Sequence, residues 1–375
     1  MQNYEEKLAH LKAQSSFRSI KNIKEKQGKY IIVDDKKMLN LSSNDYLNLS
    51  TDSNLKLEFI EKYKNHNEFL FSSASARLLT GSSSCYKKLE NNFAKLFNKE
   101  SALLFNTGYQ ANQGVISALF QKGDVIFSDK LNHASIVSGL KLSPAEHFRY
   151  NHNNYEHLEK ILKEKRDNYN KAIIISESVF SMDGDIADIQ KLVELKKKYN
   201  CLLMIDEAHA FGVFGENLQG ISAQEGQLNK IDIITITLGK ALASSGAICI
   251  SNKTIIDYLI NKASSFIFST AIAPANAMWS NFLLEEKFDL LKEKKEKLNS
   301  LFQKIHKIYP SISSSQIVPI VLGSSQNANE KAKELQNKGF YVLPINPPTV
   351  PLGTSRLRIS LTSDIEFEEI CNIFG

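Results

Sequence analysis

The sequence CLLMIDEAH at residues 201–209 and the sequence IDIITITLGKALASSG at residues 231–246 decide the fold of this chain. Each contains a short apolar run that polar or small residues follow directly. Strands that are apolar on both faces are typical of a parallel sheet covered by helices on both sides. Ligands of such sheets bind beyond the carboxyl ends of the strands. Asp206, His209 and Lys240 come at these positions in the sequence.

The same alternation of apolar runs and segments of helical period extends from about residue 86 to residue 250. We therefore predict an α/β fold with a mostly parallel central sheet and helices on both faces. The predicted strands are Ala102–Phe105, Val125–Phe127, Ala172–Ile175, Leu202–Ile205, Ile231–Ile236 and Ala247–Ile250.

The pattern changes twice along the chain, which predicts three segments. The first holds an amphipathic helix over residues 3–20 and a strand pair joined by a turn at Asp34 and Asp35. The last begins with one long helix over Phe282–Tyr309, followed by a strand, a helix and a strand. The predicted domains are an N-terminal arm of residues 1–50, a large domain of residues 51–275 and a small α+β domain of residues 276–375.

Composition and charge argue against several classes of protein. Of the 375 residues, 42% are hydrophobic, but no apolar run is long enough to span a membrane. The net charge of +5 comes from basic residues interleaved with acidic ones, which is typical of solvated helix faces rather than of nucleic-acid binding. The N-terminus has no apolar signal region, and the four cysteines form no CxxC pair. We expect a soluble cytoplasmic protein without a metal site, a membrane anchor or a nucleic-acid partner.

Lys240 and Asp206 together fit an aldehyde cofactor with a ring nitrogen, namely pyridoxal 5'-phosphate. A lysine in a partly dry pocket forms a Schiff base with an aldehyde, and a carboxylate opposite the ring nitrogen keeps that nitrogen protonated. His209 follows Asp206 closely enough to donate to the ring hydroxyl. Each residue alone also has an ordinary interpretation, because lysines often begin solvated helices and aspartates often cap them.

The segment from Asn106 to Tyr109 supplies a candidate phosphate site. It follows the predicted strand Ala102–Phe105 and precedes a predicted helix over Gln110–Leu119. Free amides at a helix N-terminus bind phosphate. His133, in a loop after another strand, is a candidate for stacking on the second face of the cofactor ring.

The tetrapeptide Asp-Glu-Ala-His at residues 206–209 also occurs in helicases. That interpretation requires an upstream phosphate loop of the form GxxxxGK[ST]. The two Gly-Lys pairs, Gly28-Lys29 and Gly239-Lys240, lack both the earlier glycine and the following serine or threonine. The sequence therefore does not predict an ATPase.

Ordered motifs along nearly the whole chain are similar to those of one enzyme family. They are LSSNDYL (41–47), ARLLTG (76–81), LNHAS (131–135), SVFSMDGD (178–185), DEAH (206–209), TLGK (237–240), FST (268–270) and PPTVP (347–351). With these motifs the chain resembles the α-oxoamine synthases, a branch of the fold-type I pyridoxal-phosphate enzymes.

The resemblance implies a role for each matching residue. Lys240 would carry the cofactor and move protons, Asp206 would pair with the ring nitrogen, and His133 would stack on the ring. The other implied cofactor contacts are Gly108, Tyr109, Ser181, His209, Thr237 and Thr270, the last reaching the phosphate of a partner subunit. The implied substrate contacts are Arg18, His133, Thr349 and Arg358, of which Arg358 would bind the amino-acid carboxylate.

The resemblance also implies an activity, the decarboxylative condensation of an amino acid with an acyl thioester by a homodimer. Within the family, the motifs are most similar to those of the biotin-pathway enzymes that join L-alanine to a pimeloyl group. That group would be carried by CoA or by an acyl carrier protein.

Two departures from the family pattern concern the acyl partner and one loop. Residues 72–76 read SSASA where relatives usually carry a glycine-rich run, and Asn346 stands where many relatives have arginine. Two alternatives stay open. One is a sister enzyme that uses glycine, serine or another acyl thioester, such as a 2-amino-3-ketobutyrate CoA ligase. The other is a non-catalytic or nucleic-acid-binding protein that kept the fold.

Overall fold

The computed structural model describes residues 2–13 and 17–374. Its α-helices are α1 Gln2–Ala13, α2 Ser53–Tyr63, α3 Ser84–Leu96, α4 Gly108–Leu119, α5 Ala134–Leu142, α6 Tyr155–Lys165, α7 Ile189–Lys198, α8 Ile221–Gln224, α9 Lys253–Lys262, α10 Ser264–Ile267, α11 Pro274–Glu286, α12 Phe288–Ile308, α13 Ser325–Asn337 and α14 Phe367–Ile370. Its strands are β1 Ile23–Gln27, β2 Tyr30–Val33, β3 Lys36–Asn40, β4 Ser101–Phe105, β5 Val125–Asp129, β6 Glu146–Tyr150, β7 Ala172–Glu177, β8 Leu202–Asp206, β9 Ile233–Thr237, β10 Ala247–Ser251, β11 Ile317–Gly323, β12 Phe340–Tyr341, β13 Pro344–Ile345 and β14 Ser355–Ser360.

The chain forms two compact units. The large unit comprises residues 53–180 and 186–296, and the small unit comprises residues 1–52, 181–185 and 297–375. The small unit joins the N-terminal segment to the C-terminal one because β3 pairs with β12 in parallel. The three-part division drawn from the sequence stays a prediction about domains.

The large unit is built on a seven-stranded sheet in the order β4-β10-β9-β8-β7-β5-β6. Strands β9, β8, β7, β5 and β6 run parallel to one another, and β10 is antiparallel to both β4 and β9. This arrangement confirms the predicted α/β class and the mostly parallel sheet.

Both faces of this sheet are covered. Successive strand side chains point to opposite faces. Ile173 and Ile175 therefore share one face, where they join a core that includes Val115 of α4 and Leu259 of α9. Ile174 points to the other face and is also fully buried. Burial on both faces explains why the strands read as unbroken apolar runs.

Strand β6 was not predicted, because its sequence Glu-His-Phe-Arg-Tyr is mostly polar. It pairs only with β5 at the edge of the sheet and leaves most of its side chains accessible. An edge strand of this kind lacks the apolar run that identified its neighbours.

Two predicted helices have different bounds in the structure. The first ends at Ala13, and Phe17–Ile20 are not helical, so the prediction of a helix over residues 3–20 was wrong at its end. Residues 14–16, which that prediction also covered, lie outside the described residues. The predicted helix over Phe282–Tyr309 is two helices. Lys287 leaves helical geometry between α11 and α12, and its amide donates to the Leu283 carbonyl.

The small unit contains two sheets, in the orders β1-β2-β3-β12 and β11-β14-β13. The predicted turn between β2 and β3 is confirmed, with Asp34 and Asp35 at φ of 48° and 60°. A two-residue hairpin loop needs positive φ at both positions to match the twist of its strands, and Asp tolerates it better than most residues.

Cys85, Cys201 and Cys249 are buried, and Cys371 is partly exposed. Burial raises the pKa of Cys85 and Cys249 to about 12 and that of Cys201 to about 11. Among the described helices, none combines the length and the apolar character that a membrane span would require.

A substitution at Gly184 tests how closely the small unit is packed. Its φ is +69°, and an added Cβ would lie 2.0 Å from the Ile317 carbonyl oxygen. We expect Gly184→Ala to lower the melting temperature by several degrees, because backbone strain of about 1–2 kcal/mol is joined by a steric clash. Gly28→Ala is the matched control, since Gly28 also has positive φ but open space around it. Equal melting temperatures for the two variants would contradict the packing argument.

Candidate functional site

Polar residues end the central strands at one edge of the large unit's sheet. The parallel register places Glu177 of β7 opposite Asp206 of β8, and Asp206 opposite Thr235 of β9. All three residues are buried. Buried polar groups need partners, and the loops that follow the strands supply them.

Lys240 and His209 meet directly, with 2.8 Å between Lys240 Nζ and His209 Nε2. Lys240 lies in a tight loop after β9, where the Leu238 amide donates to the Gly246 carbonyl and the Ser244 amide to the Leu238 carbonyl. This loop places Lys240 at the carboxyl end of β9, beside His209, which lies in the loop after β8. The structure thus brings together two of the residues that the sequence singled out.

The Asp206 carboxylate is 6% exposed and held at both oxygens. Its Oδ1 accepts a hydrogen bond of 2.9 Å from the Ala208 amide, and its Oδ2 accepts one of 2.7 Å from Asn112 Nδ2. Two fixed donors set the plane of the carboxylate. One lone pair on each oxygen is left for a further donor.

His133 caps α5 from the loop after β5. Its backbone amide donates to Glu177 Oε1, and its ring atom Nδ1 lies 2.8 Å from Ser135 Oγ. The ring also lies edge-to-face with the Tyr109 ring, with 6.5 Å between the centroids. Desolvation is the main cause that lowers the pKa of His133, Lys240 lowers it further, and Asp206 opposes both. The imidazole is therefore neutral at neutral pH.

Glu177 is a buried carboxyl group that the motifs did not identify. Burial, and then the neighbouring Asp206 carboxylate, raise the pKa of Glu177 well above its ordinary value of 4.5, while Lys240 opposes them. Two carboxyl groups so close in a dry site cannot both carry charge at low cost. Burial and the neighbouring carboxylate therefore favour the protonated form of Glu177.

The start of α4 lies against the end of β9. A Cβ built on Gly108 would be 3.6 Å from the Thr237 Cβ, so the helix begins beside the Thr237 side chain and its hydroxyl. Thr107 caps the helix by accepting from the Gln110 amide. The first amides of a helix have no carbonyl partner within it, so those of Gly108 and Tyr109 are suited to an anion. Thr270 lies at the same end, where its carbonyl oxygen accepts from Asn106 Nδ2.

The remaining predicted residues belong to the small unit. Arg358 is buried, and its Nε donates to the carbonyl oxygen of Ser181. Its Nη1 donates to Ser360 Oγ at 2.5 Å and its Nη2 to Asn44 Oδ1 at 3.1 Å. These bonds fix the guanidinium plane.

Arg18 and Thr349 form a second group in the small unit. Arg18 Nη2 donates to Thr349 Oγ1 at 2.8 Å. Both residues line a cleft of about 520 Å³ together with Asn346, whose Nδ2 donates to Asn329 Oδ1. Arg18 and Thr349, which are predicted to contact substrate, thus line the same cleft as Asn346, which differs from the family pattern.

Sequence reasoning assigned no role to three members of the large-unit site, Asn112, Ser135 and Glu177, although Ser135 lies in the LNHAS motif and Glu177 at the end of a strand. Asn112 stands three and four residues before Val115 and Ile116, which places it on the same helix face as these apolar residues. A polar residue at a core position is a signal that could have identified it. The contacts it makes come from distant segments and cannot be read from spacing.

The large-unit residues fit a pyridoxal phosphate molecule by the chemistry of their donors. Lys240 offers an amine, Asp206 a buried carboxylate with unused lone pairs, and His133 an exposed neutral ring. Thr237 and the start of α4 offer hydroxyl and amide donors for a phosphate. The individual roles stay predictions.

Comparisons with known proteins agree with this chemistry. The profile of the family described as aminotransferase class I and II matches residues 36–374. A protein of Haemophilus influenzae (strain 86-028NP), provisionally named 8-amino-7-oxononanoate synthase, is 45% identical over 375 residues, covering 99% of this chain and 98% of the relative. A protein of the same provisional name from Neisseria meningitidis serogroup A (strain DSM 15465 / Z2491) is 44% identical with the same coverage.

Solved structures similar to this one include two kinds of enzyme. A serine palmitoyltransferase from S. paucimobilis with a bound pyridoxal-phosphate–myriocin adduct has a TM-score of 0.89 at 25% identity, covering 100% of this chain and 95% of that one. An 8-amino-7-oxononanoate synthase from Francisella tularensis has a TM-score of 0.73 at 28% identity, with coverage of 89% and 95%.

The raised pKa of Glu177 makes a prediction about stability and pH. Because the native state holds this proton more tightly than the unfolded chain, the contribution of Glu177 to stability is lost as pH rises from about 4.5 through the raised native pKa. We expect Glu177→Gln to reduce the loss of melting temperature between about pH 5 and about pH 8 by a few degrees. An equally steep loss in the variant and the wild type would contradict a protonated Glu177.

Proposed function

This chain belongs to the family of class I and II aminotransferases, and we propose that it condenses L-alanine with a pimeloyl thioester to give 8-amino-7-oxononanoate. It is a pyridoxal-phosphate-dependent enzyme of the α-oxoamine synthase type. The observation that carries the proposal is the 2.8 Å contact of Lys240 with His209 beside Asp206, in a chain 45% identical to a relative provisionally named for this reaction.

Seven residues of the large-unit site have a part in the proposal. Pyridoxal phosphate, when bound, would supply an electron sink for the bond that breaks at the amino-acid α-carbon. Lys240 would hold the cofactor covalently and, once released from it, would take the α-proton from alanine. Asp206 would keep a proton on the ring nitrogen, His133 would stack on the ring, and His209 would donate to the ring hydroxyl. Thr237, Gly108 and Tyr109 would bind the phosphate.

The proposed reaction forms one carbon–carbon bond and breaks one carbon–sulfur and one carbon–carbon bond, with proton transfers at the α-carbon and the sulfur. The alanine α-carbon bonds to the thioester carbonyl carbon, the carbon–sulfur bond breaks, and the sulfur leaves as a thiol with one proton taken from solvent. The carboxylate then leaves as CO₂, and a proton from the Lys240 amine replaces it on the carbon. Arg358 binds the alanine carboxylate through paired hydrogen bonds, and the loss of CO₂ removes that contact.

The small-unit cleft supplies the proposed acyl site. A pimeloyl group ends in a carboxylate, for which the Arg18 guanidinium is a suitable donor. Asn346 offers an amide where many family members carry a second arginine. We therefore expect weaker selection for an acidic acyl tail than in those relatives.

A sister reaction with serine and a longer acyl thioester is the second candidate. The higher TM-score to serine palmitoyltransferase, 0.89 against 0.73, favours it. The 45% identity over nearly the full length of both chains favours the alanine reaction. Specificity within this branch depends on single methyl or hydroxyl groups, so substrate comparison decides between them.

Release of free thiol from pimeloyl-CoA is the test of the reaction. We expect release with L-alanine to exceed release with glycine or serine, and pimeloyl-CoA to exceed palmitoyl-CoA, with pimeloyl-carrier protein measured in parallel. Lys240→Ala should abolish release, because both the attachment point and the base are lost. The control Lys122→Ala changes an exposed lysine of the same unit and should retain activity.

Two outcomes would overturn this part of the proposal. Turnover by Lys240→Ala without an added amine would refute the assigned lysine. Faster release with serine and palmitoyl-CoA would replace the proposed substrates with those of the sister reaction while keeping the site.

Asp206→Asn tests the carboxylate separately. We expect the variant to bind cofactor but to exchange the alanine α-proton in D₂O about 10²–10³-fold more slowly, because charge developing in the transition state loses its partner. Asp188→Asn, which changes a helix-capping aspartate of α7, is the control. Exchange as fast as in the wild type would refute the role of Asp206.

A further inference from the structure

Asn112 is a buried amide at the second turn of α4 with 2% of its surface exposed. Its helix neighbours Ala111, Val115 and Ile116 are fully buried apolar residues. An amide in such surroundings destabilises the protein unless its donors and acceptor are satisfied. Asn112 satisfies them through three residues of the site already described, which come from different segments.

The three bonds give the amide a single orientation. Asn112 Nδ2 donates to Asp206 Oδ2 at 2.7 Å and to Ser135 Oγ at 3.0 Å. Asn112 Oδ1 accepts from Thr235 Oγ1 at 2.9 Å. A carboxylate only accepts hydrogen bonds. The nitrogen must therefore face Asp206, which assigns the oxygen to the Thr235 hydroxyl.

This orientation determines where the Ser135 proton goes. Because Ser135 Oγ accepts from Asn112, its own proton is available to His133 Nδ1, 2.8 Å away. The Ser135 backbone amide donates to the same Nδ1 at 3.2 Å. Two donors at Nδ1 require that nitrogen to be the acceptor. The proton of the neutral imidazole then resides on Nε2.

We propose that Asn112 is a positioning residue that couples the two sides of the cofactor site. One side-chain amide orients the Asp206 carboxylate and, through Ser135, fixes His133 as the tautomer with its proton on Nε2. The inference rests on the proposed cofactor roles of Asp206 and His133. It does not depend on which amino acid or thioester the enzyme uses.

The coupling has a mechanical reason. Asp206 ends β8, His133 precedes α5, and Thr235 lies in β9, so no single loop holds them in register. Asn112 contacts a residue of each segment from α4, the helix whose first amides face the predicted phosphate. A rigid element that bears on several groups positions them more accurately than separate loops.

The experiment compares variants that cut different bonds of this network. Asn112→Leu removes all three bonds at similar volume, Ser135→Ala removes only the branch to His133, and Thr235→Val removes only the donor to Asn112 Oδ1. Asn281→Leu is the matched control. Asn281 is 3% exposed in α11, where its Nδ2 donates to the Cys85 carbonyl and its Oδ1 accepts from Asn92.

Two readouts separate positioning from stability. The first is the tautomer of His133, read from ring ¹⁵N shifts of histidine-labelled protein with and without pyridoxal phosphate, with the signal assigned through His133→Gln. The second is the dissociation constant of pyridoxal phosphate, measured from its visible absorbance. Melting temperatures are recorded for every variant, so that a loss of stability alone is recognised.

We expect the wild-type His133 to carry its proton on Nε2 in both states. Asn112→Leu should raise the share of the other tautomer, although the Ser135 backbone amide still donates to Nδ1, and should weaken cofactor binding about tenfold. Ser135→Ala should raise that share in the same way with a smaller change in binding, and Thr235→Val should shift both readouts in the direction of Asn112→Leu. Asn281→Leu should lower the melting temperature while leaving both readouts unchanged.

The proposal is overturned if the His133 tautomer is the same in wild type, Asn112→Leu and Ser135→Ala, or if Asn112→Leu weakens binding no more than Asn281→Leu does. If Asn112→Leu does not fold, Ser135→Ala and Thr235→Val decide the outcome through the same readouts. Asp206→Asn is measured alongside. An unchanged cofactor spectrum in that variant would instead refute the assigned site on which the inference rests.

Discussion

Glu177, Asp206 and Thr235 lie in one row across three neighbouring parallel strands. Glu177 and Asp206 end their strands and Thr235 lies inside β9, and all three side chains are buried in a confined, water-poor region. Two of the three are carboxyl groups, and neither a second charge nor an unpaired oxygen is tolerated there cheaply. Burial favours the protonated form of Glu177, and Asn112 accepts a hydrogen bond from the Thr235 hydroxyl and donates one to Asp206. Each part of the site follows from this requirement.

Another buried acidic group, Glu207, fixes the loops around the same edge of the sheet. Glu207 is fully buried and accepts from the Ser178 hydroxyl at 2.6 Å and from the amides of Ile221 and Ser222. Burial raises the pKa of Glu207, while these donors oppose the shift. Gly220 is required beside it, because a Cβ there would lie 2.3 Å from Glu207 Oε2. Glu207 therefore anchors the segment that carries His209, through the Ser178 hydroxyl and through the amides of Ile221 and Ser222.

Much of the large unit could be predicted from sequence, because doubly buried strands must read as apolar runs. Strand β6 could not, since an edge strand satisfies no such rule, and neither could the break at Lys287, where the helical period continues on both sides. Within the site, Lys240, Asp206 and His209 follow from strand ends, and their proposed roles follow from the resemblance. Asn112, Ser135 and Glu177 received no role because their importance lies in contacts between distant segments. For Asn112 the sequence carried one trace, an amide on the helix face that Val115 and Ile116 share.

The burial of the cysteines has a practical consequence for measuring the reaction. Thiol reagents react with the thiolate, and a pKa of about 11 or 12 leaves Cys85, Cys201 and Cys249 almost wholly in the thiol form at neutral pH. Their burial also denies a reagent access in the native state. A thiol-reactive dye would then detect mainly the free coenzyme thiol that the reaction releases, above a small, constant signal from Cys371. The reaction can therefore be followed continuously with the wild-type enzyme, without substituting any cysteine.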